Sequence, residues 1–211
     1  MNTHSIKTNP SKDIKLYKYR LEHVRLIWPK QILNLIEKFK IKSVNDLGCN
    51  YFQLYKEIKI RKKKINYYGY DSEIEFLKIG LKKFPELKKR FKICNIENTN
   101  IRQADCSIIS STLEHLDFPY KALKNIIKST KKIILIRSCF GVKEEKLIKK
   151  IGVEHPVNYN QFSFIKFKKY LEKFNFKVFY ILDEANYLSN KTKTINKKNK
   201  RKTYICLAIK I

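Results

Sequence analysis

The chain has 211 residues, 43% of them hydrophobic and 31% charged, with a formal net charge of +28. This length supports one substantial hydrophobic core and excludes two ordinary domains, and no apolar run approaches the ~20 residues that span a bilayer. The opening MNTHSIKTNPSKD is polar and lacks the apolar stretch of a secretory signal. Cys49, Cys94, Cys106, Cys139 and Cys206 are odd in number and scattered without a CxxC pair. They argue against a zinc site or a disulfide framework and point to a reducing cytoplasm.

The positive charge has two readings. One is attraction to nucleic acid, anionic membrane or an acidic substrate. The other is compositional drift, since Lys, Ile and Asn are abundant along the whole chain. Two basic clusters stand out, residues 59–64 (KIRKKK) and 197–202 (KKNKRK). Lysines occur in every segment rather than on one, which favours the second reading.

In chain order, residues 1–13 read as a loose arm. Tyr17, Leu21, Val24 and Trp28 have helical spacing and predict a helix over 14–28. Pro29 suits the first turn of a second helix, whose apolar face is Ile32, Leu33, Ile36 and Phe39. From Ile41 onward, short apolar runs alternate with helical stretches, the pattern of a mostly parallel sheet covered by helices. Strands are expected at 43–47, 67–70, 91–94, 106–110, 132–137, 177–181 and 204–209. Helices are expected at 52–60, 74–84, 121–129 and 164–174, with Ser163 as N-cap of the last. Residues 138–162 and 189–202 read as polar loops. The division is thus an N-terminal arm and helices over 1–40, and an α/β domain over 41–211.

The informative segment is Val44-Asn45-Asp46-Leu47-Gly48-Cys49-Asn50. A strand ends beside an acid, and a glycine turn opens a helix. Glycine lets backbone approach a ligand without an obstructing Cβ, and ligands in open α/β sheets bind beyond the carboxyl ends of the strands. Asp71 closes the next strand in Tyr68-Gly69-Tyr70-Asp71, where a carboxylate accepts hydrogen bonds from ribose hydroxyls. A dinucleotide site is disfavoured, because Asn50 and Leu54 break the GxGxxG pattern that admits a pyrophosphate.

The ordered set over roughly 41–211 resembles the class I S-adenosylmethionine-dependent methyltransferases, especially those acting on small molecules. It comprises the acid-x-Gly motif, Asp71, Ser110-Ser111-Thr112-Leu113-Glu114-His115-Leu116, Pro119 and Phe162-Ser163. The resemblance implies a Rossmann-like, seven-stranded, mostly parallel sheet with helices on both faces and an antiparallel last strand. It implies S-adenosyl-L-methionine as cofactor. Asp46, Gly48, Asn50 and Tyr51 would surround its methionine part, Asp71 and Ser72 its ribose, and Asn95 and Ile96 its adenine. Ser110 would line it beneath the methyl group. Three positions depart from the pattern. Asn50 replaces the usual second glycine and tolerates left-handed backbone better than other side chains. Phe52 stands where some members have a third glycine, and Asn95 is not the usual acid.

A sulfonium methyl is already electrophilic, so the protein must align a nucleophile and, for a hydroxyl, remove a proton. His115 and His155 are the candidate bases; the alternative for His115 is a structural role at a helix start. A metal-binding Glu-x-x-Glu-His cluster is lacking, because Ser111 stands at its first acid position. Arg137, ending the fifth strand, would hold a carboxylate or phosphate, or else form a salt bridge. Asn158 and Tyr159 lie in a polar segment suited to sugar-like hydroxyls, or in an ordinary loop. Tyr17, Arg20 and His23 place the first helix as either a lid or a core cover. The expected function is O-methylation of a polar small molecule or cell-surface sugar. The rivals are RNA methylation through the basic surface, which the absence of Asn-Pro-Pro-Tyr disfavours, and a noncatalytic binding protein of the same fold.

Overall fold

The computed structural model describes residues 10–149, 157–187, 193–196 and 199–211. Two helices, α1 (Pro10–His23) and α2 (Ile27–Lys38), precede the sheet. The alternating part runs β1 (Ser43–Leu47), α3 (Gln53–Ile60), β2 (Asn66–Asp71), α4 (Ile74–Lys83), β3 (Phe91–Ile93), β4 (Ala104–Ser110), α5 (Pro119–Ser129) and β5 (Thr130–Gly141). There follow β6 (Glu145–Lys149), β7 (Val157–Ser163), α6 (Phe164–Glu172), β8 (Phe176–Leu182), α7 (Glu184–Tyr187), β9 (Lys193–Asn196) and β10 (Asn199–Lys210).

The main sheet has the order β3-β2-β1-β4-β5-β10-β8. Its first five strands are parallel, and β10 runs antiparallel to both β5 and β8. All seven strands expected from the sequence are present, with the antiparallel one last in the chain. Side chains alternate across the pleat. Val44, Cys106, Ile108, Leu135 and Ile205 face a cluster built with Ile32, Leu33, Ile36, Leu54 and Ile58. Leu47, Ile109, Ile134, Ile136 and Cys206 face the other side, against Leu123, Ile126, Phe167 and Leu171. Burial on both faces explains why these strands read as continuous apolar runs.

The first helix starts and ends earlier than the sequence pattern suggests, at Pro10 and His23, so residues 10–13 are helical rather than part of an arm, and Trp28 belongs to α2. A proline ring clashes with the carbonyl four residues back, so Pro29 is tolerated only in a first turn. The carbonyls left at the end of α1 are taken by the Lys56 ammonium, which donates to Leu21 O at 2.7 Å and Val24 O at 2.9 Å.

The expected loops at 138–162 and 189–202 are corrected. The fifth strand continues to Gly141, and β6 and β7 form an antiparallel ribbon from Glu145↔Gln161 to Lys149↔Val157. The base of β7 also joins β5 in parallel, at Phe140↔Phe162 and Gly141↔Ser163. In the later segment, β9 pairs with the start of β10. These strands escape sequence reading because backbone pairing, not apolar alternation, defines them. The side chains of β7 include Asn158, Asn160 and Gln161. The expected cap at Ser163 is present, its hydroxyl accepting from the Lys166 N–H.

Candidate functional site

The carboxyl ends of β1, β2, β4 and β5 meet at one edge of the sheet, and the turn after β1 is its centre. Gly48, Asn50 and Phe52 have positive φ values of 75°, 49° and 60°. The turn is tied to the end of β2. The Gly48 and Cys49 N–H groups donate to Tyr70 O at 2.8 and 3.0 Å, and the Asn50 N–H donates to Asp71 Oδ2 at 2.7 Å. Asn50 adopts the left-handed conformation that its replacement of a glycine requires, and its Oδ1 accepts from the Tyr51 N–H at 2.8 Å. A left-handed bulky residue costs free energy. Burial of the Phe52 ring, edge-on to Tyr67 and Phe91, offsets that cost.

Asp46 and Asp71 are both buried. Asp46 accepts from the Tyr67 hydroxyl at 2.7 Å. Burial, together with repulsion from Asp71, pushes its carboxyl up to about 7. Burial likewise raises Asp71, although the Asn50 and Glu73 N–H groups donate to it. Glu73 is raised by burial and by Asp71. The groups that act on Asp46 and Asp71 here are a phenol, a carboxylate and backbone N–H groups, with no lysine or arginine among them. These two buried carboxyl groups stand side by side at the carboxyl edge of the sheet and suit a ligand carrying hydroxyl donors.

The other expected cofactor residues surround this turn unequally. Tyr51 and Ile96 are buried, Ser110 is partly buried, and Ser72 and Asn95 are exposed. Asn95 follows β3, its Oδ1 accepting from the Glu97 N–H at 2.9 Å and its Nδ2 facing Glu97 Oε2 at 3.4 Å. Ser110 pairs in register with Arg137 of β5.

Beyond Ser110 the chain turns sharply through Ser111, at φ 53°, into a short 3-10 turn at Leu113–His115. Thr112 reaches back over Gly48. His115 Nδ1 lies 2.8 Å from Asn158 O, and its ring meets Tyr159 edge-on, with centroids 4.9 Å apart. The Asn158 amide donates to Asp117, and the Asn160 amide donates to Leu116 O at 2.9 Å. The ribbon therefore clasps the turn that carries His115. Buried Glu114 accepts from the Ser138 hydroxyl at 2.6 Å. The other candidate base, His155, lies outside the described residues.

Arg137 is buried and held within the protein. Its Nη2 donates to Asp183 Oδ2 at 2.7 Å, and its Nη1 donates to Ser111 Oγ at 2.6 Å. The guanidinium also lies over the Trp28 ring at 6.0 Å. Sequence reasoning gave no role of their own to Thr112, Asp117 or Asp183. Asp183 is 46 residues from Arg137 and has no local signal tying it to that residue. Among the described residues no helix is long and apolar enough to cross a membrane, and no three His, Cys, Asp or Glu gather as a metal site.

No protein-family model matches the chain, and no curated protein matches its sequence. Solved structures do match its fold. An S-adenosylmethionine-dependent methyltransferase from Clostridium acetobutylicum is similar at a TM-score of 0.63 and 14% identity, over 96% of this chain and 99% of that one. Magnesium protoporphyrin IX methyltransferase from Synechocystis, with bound S-adenosylmethionine, is similar at 0.56 and 14%, over 98% and 86%. The glycopeptide N-methyltransferase MtfA, in complex with S-adenosylmethionine, is similar at 0.61 and 9%, over 88% and 95%. The chain has the Rossmann-like fold of the class I S-adenosylmethionine-dependent methyltransferases.

Proposed function

We propose that the chain is an S-adenosylmethionine-dependent methyltransferase that methylates an oxygen of a polar small molecule. The observation that carries the reading is the placement of two buried carboxyl groups, Asp46 and Asp71, beside the Gly48 turn at the carboxyl edge of the sheet. Asp71 lies at the end of β2, where its carboxylate keeps lone pairs for ribose hydroxyls. Asp46 lies at the end of β1, held by the Tyr67 hydroxyl, where it would border the cofactor's methionine end. When bound, the cofactor supplies an electrophilic methyl group. The protein's own work is then alignment and proton removal. Gly48, Asn50 and Tyr51 would hold the methionine part, Ser72, Asn95 and Ile96 the ribose and adenine, and Ser110 would line the site near the methyl group.

His115 follows that strand end and takes the acceptor's proton. Tyr159 walls the acceptor space beside it. Arg137 acts from behind, holding Ser111 and thus the turn. In the first basic cluster, Lys59 pairs with Glu86, Arg61 with Glu57 and Lys63 with Glu37. These pairings offset part of the positive charge of that cluster.

The test is calorimetric titration with S-adenosylmethionine, followed by transfer of its labelled methyl group into fractionated metabolite extracts. The expected result is cofactor binding and one labelled product methylated on oxygen. No cofactor binding by folded protein would refute the reading. Binding without transfer to any extract would favour a noncatalytic binding protein.

A further inference from the structure

We infer that the β6–β7 ribbon sets the tautomer of His115, with Asp117 and Asn158 as positioning residues that keep Nδ1 protonated and Nε2 bare. The inference rests on the reading of His115 as the acceptor's base and says how the fold prepares it.

A backbone carbonyl only accepts hydrogen bonds. Asn158 O lies 2.8 Å from His115 Nδ1, so that nitrogen must carry the proton that joins them. In the neutral ring the lone pair then resides on Nε2, the nitrogen turned away from the ribbon contact. Nothing on His115's own turn supplies this restraint. It comes from a strand more than forty residues later in the chain, and that strand is fastened at several points. The Asn158 amide donates to Asp117, two residues after His115, and the Asn160 amide donates to Leu116 O. Both asparagines are buried, so their amides must find partners, and those partners lie on the His115 turn. Tyr159, between them, sets its ring at 90° to the imidazole and limits its rotation. The carbonyl of residue 158 is therefore held in register with Nδ1 by side chains on both flanks.

The consequence is chemical. With the cofactor bound, Nε2 would take the proton of an acceptor hydroxyl whose oxygen bonds the methyl carbon, the S–CH3 bond breaking with its electron pair left on the neutral sulfur. The ring then carries N–H on both nitrogens and one positive charge. Asn158 O still accepts from Nδ1. A ring in the opposite tautomer would present an N–H to the acceptor and could not take its proton. A merely structural histidine needs one hydrogen bond of either kind; the ribbon selects the kind that leaves a base.

The test needs no acceptor. Long-range proton–nitrogen correlation on uniformly labelled full-length protein, at a pH where the ring is neutral, reports which nitrogen is protonated. The His115→Gln spectrum assigns the signal. The expected result is a single Nδ1–H tautomer in the wild type. Asp117→Ala and Asn158→Ala should give mixed tautomers, while Asp117→Asn, which keeps an acceptor for the Asn158 amide, should restore the single form. An Nε2–H or mixed ring in the wild type would overturn the inference. An unchanged Nδ1–H ring in both alanine variants would overturn the positioning roles. An Nε2–H ring would count against His115 as the base as well, whereas an unchanged ring in the alanine variants would leave that reading untouched. That reading fails separately, if His115→Gln protein transfers methyl groups at the wild-type rate.

Discussion

Thr112 stands where a side chain on Gly48 would have to go: a Cβ built on the glycine overlaps the Thr112 hydroxyl and methyl. The glycine is thus required twice, by its φ of 75° and by a residue from the turn after β4. It couples the two segments that the proposed function places on either side of the cofactor.

Gly48→Ala should destabilise the protein by about 1–2 kcal/mol for the left-handed backbone, with roughly 1–3 kcal/mol more for the overlap. In a Thr112→Gly background only the backbone part should remain. A double-mutant cycle by urea unfolding should give a coupling on the order of 1 kcal/mol. Zero coupling would show that the turn relaxes away from Thr112.

Asp71→Ala should weaken S-adenosylmethionine binding. Hydrogen bonds to a charged group contribute about 1.5–3 kcal/mol each, so the loss is roughly 10- to 150-fold per bond. Asp71 also holds the Asn50 and Glu73 N–H groups, so the melting temperature must be measured alongside. Equal affinity in a folded variant would remove Asp71 from the ribose.

Asp46 gives a pH signature. Burial, with repulsion from Asp71, lifts its carboxyl to about 7 from 3.8, so the folded state binds its proton more tightly than the unfolded chain. The stability this supplies is complete below the unfolded value and is lost as pH rises through the folded one. Asp46→Asn keeps an oxygen for the Tyr67 hydroxyl and removes the titration. The variant should be more stable than wild type at pH 8, by at most on the order of a few kcal/mol, and nearly equal near pH 4. Denaturant melts at the two pH values compare them. A stability difference that does not change with pH would count against a buried, titrating Asp46.

The parts of the site legible in the sequence are those built from short-range signals. An acid and a glycine close a strand at Asp46 and Gly48, a second acid closes the next at Asp71, and Asn50 is the side chain best suited to its left-handed φ. Alternation of buried positions marks the seven main strands, because both faces of the sheet are covered. Long-range contacts leave no such trace. Neither Phe52 nor Ser111 advertises a positive φ, and the asparagines of β7 look like loop residues until Asp117 and Leu116 are seen as their partners. Arg137 is visible as a charged residue ending an apolar strand, but the carboxylate that claims it belongs to the end of β8 region at Asp183.

That ion pair is itself testable. The Arg137 side chain is 9% exposed and Asp183 is 0% exposed. Asp183→Ala strands a buried guanidinium and should cost about 3–5 kcal/mol. Replacing both, as Arg137→Met with Asp183→Leu, should cost much less, because no charge is then left unpaired. If the double variant is as unstable as the single one, the site depends on the Ser111 contact of Arg137 rather than on charge balance. Cofactor titration of the folded double variant would then show whether the Ser111 turn still closes over Gly48.

The remaining prediction concerns His115 and separates chemistry from support. If the ring takes the acceptor's proton, His115→Gln should leave cofactor affinity nearly unchanged, because the partners of the imidazole are Asn158 O and the Tyr159 ring. Methyl transfer should slow by roughly 10²- to 10⁴-fold, the usual contribution of a positioned base. Asn158→Ala should give a smaller loss, because the base is present but misheld. A structural histidine predicts a different pattern, with melting temperature, cofactor affinity and turnover falling together. Single-turnover transfer of labelled methyl to the purified acceptor, measured beside melting temperature and cofactor affinity, distinguishes the two. A folded His115→Gln protein with the wild-type rate would remove His115 from the reaction and leave the acceptor's proton to solvent or to another group.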